Sequence, residues 1–257
     1  MNGAPPGSLF LLELGFGLSA PLLLVRRAPL GPFFFRLLGG FAAGATVAGT
    51  ALLRLEAPEL SPAASLGALL ALVASASLLR PLKTARRSLA LGAAAGGSLL
   101  ALAAAIVSSS AAPATGLVLS LASSFGSGLV VGTVAVAMAL GHWYLVVPNL
   151  DVAYLRRANI ASAGAIGAKL AAVGALVAVG ASELSRTPLF RPMGLFHLGT
   201  RGLVGLLAPL GFAALVAGCL RYRNTRSATG ILYASTVLVL IGEAVGLTLW
   251  GSYGIPL

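Results

Sequence analysis

The sequence predicts an all-α, polytopic membrane bundle of about eight transmembrane helices, and three observations lead there. Hydrophobic residues make up 58% of the 257 positions and charged residues only 9%, whereas a soluble domain needs about a quarter charged to cover its surface. Apolar runs of roughly 20 residues, the length that crosses a hydrocarbon core of about 30 Å, recur along the whole chain. The bends between them collect most of the prolines and charges. Residues 1–257 therefore read as a single transmembrane domain.

The first run, 8–25, lies in "MNGAPPGSLFLLELGFGLSAPLLLVRR". It lacks a basic leader, Glu13 interrupts it, and its arginines come after it, so it reads as a retained helix rather than a signal peptide. "RRAPLGP" separates it from 33–53, and "EAPELSP" separates that from 62–80. "RPLKTARR" leads into 88–108, and "SSSAAPATG" into 116–147. This fifth run is too long for a straight crossing, so either it tilts or "SSFGSG" (123–128) breaks or re-enters near its start. The last three runs are 158–182, 194–220 after "RTPLFRPM", and 228–250.

Basic residues set an orientation. Bends one, three, five and seven hold twelve of the seventeen Lys and Arg residues, and bends two, four and six hold three. Short basic loops stay on the cytoplasmic side, so both termini are expected on the outer, periplasmic side of a bacterial inner membrane. Phe33–Phe35, Trp143, Tyr144, Tyr222 and Tyr233 then fall at the inner boundary, with Trp250 and Tyr253 at the outer one. The net charge of +11 does not point to nucleic acid, because the basic residues form no continuous accessible face. Their expected partners are anionic lipid headgroups, with protein partners or a second copy of the chain as further candidates. Cys219 is the only cysteine, which excludes an intrachain disulfide and an all-cysteine cluster.

A few ionisable residues lie inside apolar runs, where charge is costly unless paired or hydrated and is a functional candidate by default. Arg201 and Glu243 each sit about seven residues, roughly 10 Å, inside the outer ends of their helices. A short bend joins those helices, so an ion pair at equal depth is expected. Lys169 is near the middle of helix six, where snorkelling, pairing with Glu13 or Glu243, or titration are the alternatives. Glu13 is closer to the surface and is read as reaching water, with a place in an ion pathway as its sharper role. Thr229, Thr236, Glu243 and Trp250, spaced by seven with Tyr233 beside them, form a polar seam expected to face protein or water. Pro209 predicts a kink in helix seven.

His142 and His197 are the only histidines and are candidate ligand or haem contacts. They lie near opposite boundaries, roughly 20 Å apart in helix rise, and so cannot share one iron. The spacings Gly40/Gly44, Gly92/Gly96, Gly128/Gly132 and Gly242/Gly246 suit close helix contacts. No metal-binding, nucleotide-binding or catalytic motif is present, which argues against an enzyme. The leading reading is a non-enzymatic subunit or scaffold of a membrane complex, a respiratory one among the candidates. The alternative is a proton- or ion-coupled transporter or channel-like protein using Glu243, Arg201 and Lys169. A haem- or lipid-binding membrane protein comes third.

Overall fold

The computed structural model describes residues 5–56, 62–109, 114–147, 150–179, 189 and 191–253, without the side chains of 114, 115, 178 and 179. Among the described residues the chain is helical, with no strand. Helix α1 (Pro6–Ser19) stops where Pro21 removes a backbone donor, and the chain continues as a 3-10 turn, Pro21–Val25. Then come α2 (Gly31–Glu56), α3 (Pro62–Ser77), α4 (Thr84–Ser109), α5 (Ala114–Val146) and α6 (Ala153–Val179). Helix α7 runs over Pro192–Arg221 and α8 over Thr225–Tyr253. Seven of these segments are long and apolar enough to cross a membrane. α3 is apolar but has only 16 residues, rising about 24 Å, because the chain turns at Leu78 rather than continuing to residue 80.

The outer surface is apolar. Leu55, Leu89 and Phe196 are 83%, 73% and 67% exposed, and an exposed greasy belt of this extent suits lipid rather than water. Helix α1 has the highest buried share of the seven and packs against α2, α4, α5 and α8. Its Glu13 is thereby carried into the interior.

Glycine sets the closest helix contacts. A Cβ on Gly67 would meet Gly97 O and Ala101 N at 2.6 Å, which brings α3 against α4. A Cβ on Gly132 would overlap the backbone of Gly17, and one on Gly242 would overlap Cα of Gly205. Gly128 faces the Glu13 carbonyl in the same way. By contrast, Gly40, Gly44, Gly92 and Gly96 have nothing near their absent side chains. Two of the four paired spacings are therefore on open faces. Gly67/Gly97 and Gly205/Gly242 are contacts across helices that spacing along one helix cannot reveal.

At the end of the bundle opposite the chain's N-terminus, aromatic residues lock α2 to α5. Trp143 Nε1 donates to Leu30 O at 3.0 Å, and the Phe33 and Phe34 rings pack on its indole. The Arg87 guanidinium sits 4.4 Å over the Phe35 ring. The α7–α8 bend is made by backbone caps. Arg223 adopts φ 55°, its N–H donates to Leu220 O, and Asn224 N–H donates to Cys219 O, which together make a Schellman motif. Asn224 Oδ1 then accepts from Ser227 N–H at 3.1 Å and starts α8.

Candidate functional site: a buried charge cluster

Five helices bring charge or hydroxyl groups to one level. Glu13 lies seven residues from the start of α1 and Arg201 nine from the start of α7. Lys169 and Glu243 each lie ten residues from the ends of α6 and α8. At 1.5 Å per residue these are all about 10–15 Å below the end of the bundle where the chain begins. Opposite them, α5 contributes Ser123, Ser124 and Ser127. Helix α5 is unbroken through "SSFGSG". Its 33 residues rise about 50 Å, so the run is one long helix and not a re-entrant loop.

The Arg201 Nη1–Glu243 Oε1 distance is 2.7 Å, with the two side chains 0% and 2% exposed. Arg201 Nη2 also donates to Ser127 Oγ at 3.2 Å. The pair sits beside the tightest point of the α7–α8 crossing, since Gly242 adjoins Glu243 and Gly205 lies one turn from Arg201. Around Arg201 the helix is not α. Thr200–Leu207 is a π-helical stretch whose last bond runs from Ala208 N–H back to Leu203 O. Pro209 follows and has no N–H to close an α-type bond to Gly205 O. The interruption expected at Pro209 is thus an eight-residue wide turn reaching Arg201, and π segments of this kind concentrate at functional sites.

Lys169 neither snorkels nor forms a close ion pair. Its Nζ donates to Ser123 O at 2.9 Å and Ser123 Oγ at 2.7 Å, and its stem runs along Gly126, where a Cβ would meet Lys169 Cδ at 3.2 Å. Glu13 does not reach water. It is 4% exposed, because α1 is the most enclosed helix and not a peripheral one. It lies beside Ser124 and within electrostatic reach of Lys169, Arg201 and Glu243. Ser124 Oγ faces the Glu13 carboxyl, and Arg201 Nε is buried with no hydrogen-bond partner among the described residues. The four ionisable groups balance formally, two carboxylates against two cations.

The other candidates lie elsewhere. His142 Nδ1 and Tyr233 OH are 3.0 Å apart on the exposed surface at the opposite end of α5 and α8. His197 is near the start of α7, its Nδ1 buried and unpartnered. Thr229 and Thr236 donate to Thr225 O and Leu232 O of their own helix. The seam's reason for facing protein is corrected accordingly: i−4 bonding satisfies a threonine hydroxyl without any neighbour, and Thr236 is only half-buried. Of that seam, the Glu243 carboxylate and the Tyr233 hydroxyl depend on what they face. Among the described residues no three His, Cys, Asp or Glu side chains gather as a metal site.

The serines of α5 join the site only in the structure, although the sequence carries a signal for them. A run of six small or aromatic residues in mid-helix is what a helix needs where lysine, arginine and a neighbouring backbone must approach it closely. Fold and cluster together are compatible with a multi-pass membrane protein that holds charge in its interior. No protein-family model, curated protein or solved structure matches the chain at a significant level.

Proposed function

We propose that this is a proton- or ion-translocating protein of a bacterial inner membrane, with Glu13, Lys169, Arg201 and Glu243 as its intramembrane site. In this reading the chain is one transmembrane unit of eight passes, α3 being the short one, with both termini outside. The observation that carries it is the convergence of four ionisable side chains from α1, α6, α7 and α8 onto the serine face of α5. A clamp needs two charges. Four, with Ser124 beside Glu13 and a free donor on Arg201, supply what a travelling proton or ion exchanges with. Glu13 is the exchanging carboxylate, because Glu243 is held by Arg201 at 2.7 Å.

The test is reconstitution of the full chain in liposomes under an imposed potassium diffusion potential, with internal pH followed by a trapped dye. The wild type acidifies or alkalises the lumen faster than empty liposomes. Glu13→Gln retains the wild-type elution profile in detergent and loses the flux. Wild-type liposomes as tight as empty ones, or an unchanged rate in Glu13→Gln, would sink the proposal.

A second reading has its own support. Arg201 is fully enclosed and already paired, as expected of a register-fixing clamp in a non-enzymatic subunit of a larger complex. That reading expects partner proteins to co-purify and Glu243→Gln to abolish their association.

A further inference from the structure

At the end of the bundle away from the charge cluster, the start of α6 and the end of α7 border an open cleft of about 490 Å³. Its lining includes the exposed Arg156, Arg221 and Arg223, with Asp151 as the only carboxylate and Leu150 and Leu220 among its apolar residues. Asp151 is engaged: its Oδ1 accepts from Ala153 N–H at 2.9 Å and so caps α6. Among the described residues no carboxylate lies in ion-pair contact with any of the three guanidiniums, the ion pair being Arg201–Glu243 at the other end of the bundle.

Arg223 carries the stronger argument. It occupies the position just past the α7 cap with φ 55°, the left-handed conformation that glycine adopts freely and a residue with a Cβ does not. The chain has 33 glycines, yet an arginine stands where glycine suits the backbone better. Its exposed side chain lines the cleft with two more guanidiniums. Arginine forks match phosphate oxygens bidentately, and the first turn of α6 adds the positive end of a helix dipole.

We propose that this cleft binds a phosphate group, held by Arg156, Arg221 and Arg223 at the mouth of α6. Its source is either the headgroup of an anionic phospholipid, with the glycerol and first acyl carbons against Leu150 and Leu220, or a soluble phosphate.

The experiment uses the full chain in neutral detergent, titrated separately with dihexanoyl phosphatidic acid, dihexanoyl phosphatidylcholine and inorganic phosphate while its melting temperature is recorded. Phosphatidic acid raises the melting temperature saturably and phosphatidylcholine does not. A matching rise with inorganic phosphate identifies a soluble anion as a sufficient ligand, and no rise with it identifies the lipid. Arg223→Gly melts no lower than wild type without ligand and needs about ten-fold more phosphatidic acid for half the shift, and Arg221→Gln behaves likewise toward the ligand. An equal shift with phosphatidylcholine, no shift with either anion, or wild-type titration curves in both variants overturns the site. A ligand-free Arg223→Gly that melts lower than wild type overturns the argument from the backbone.

Discussion

Exchanging Glu243 for glutamine keeps the shape of the α7–α8 contact and removes one charge from a cluster that balances. Arg201, 0% exposed, then faces only Glu13, so two cations stand against one carboxylate. At 2.7 Å and an effective dielectric of about 20, the lost attraction is roughly 6 kcal/mol before the desolvation it offset. Breaking a buried pair from one side typically costs about 3–5 kcal/mol net. Arg201→Met should cost a similar amount, because it leaves two carboxylates against Lys169. The double variant, Arg201→Met with Glu243→Gln, returns the cluster to one carboxylate and one cation. It should recover most of the loss and end within about 2 kcal/mol of wild type. Cys219, half-buried and the only thiol, reports unfolding by maleimide labelling as denaturing detergent is raised. Additive losses, with the double variant as unstable as the two singles summed, would show that the charges do not neutralise each other.

Further outcomes follow from the same contacts and the same assay. Trp143→Phe keeps the ring stack on Phe33 but loses the bond to Leu30 O, at about 1 kcal/mol. Asn224→Ala leaves the N-terminus of α8 without the acceptor for Ser227 N–H and costs about 1 kcal/mol. Gly67→Ala drives a methyl into the α4 backbone and costs about 1–3 kcal/mol. Gly40→Ala and Gly92→Ala enter open space and stay within about 1 kcal/mol of wild type, on the stabilising side where helix propensity dominates.

What the sequence makes legible is whatever depends on one helix alone. Apolar length placed the segments, and residue depth within segments seven and eight placed Arg201 level with Glu243, because two helices joined by a short bend leave little choice of partner. The depth of Glu13 along α1 says nothing about where α1 stands, and α1 is enclosed by α2, α4, α5 and α8. Lys169 was undecided for the same reason: its partner, Ser123, lies 46 positions away on another helix. The glycine spacings were half informative. Gly128/Gly132 fits a contact with α1, whereas Gly40/Gly44 has the same spacing on an outward face. Spacing reports that one surface is smooth, and only a partner makes the smoothness matter. The length of α5 posed a question that composition could not answer, since serine and glycine suit both a broken helix and a cradle.

Glycine and charge belong to one device in this fold. Glu243 follows Gly242, the Lys169 stem lies on Gly126, and the Glu13 backbone meets Gly128. Backbones in contact at these points shut out both water and lipid, and in that drier space an ion pair is stronger while an unpaired charge is more costly. The glycines should therefore matter more when the charges are present. Gly242→Ala places a methyl against Gly205 Cα, so α7 and α8 must separate and draw Arg201 away from Glu243. In the wild-type background it should cost the overpacking term of about 1–3 kcal/mol and, in addition, part of the ion pair. In the Arg201→Met, Glu243→Gln background only the overpacking term remains, so the two costs should differ by at least about 1 kcal/mol. If Gly242→Ala costs the same in both backgrounds, the glycine contact and the charge cluster are independent features that merely share a helix crossing.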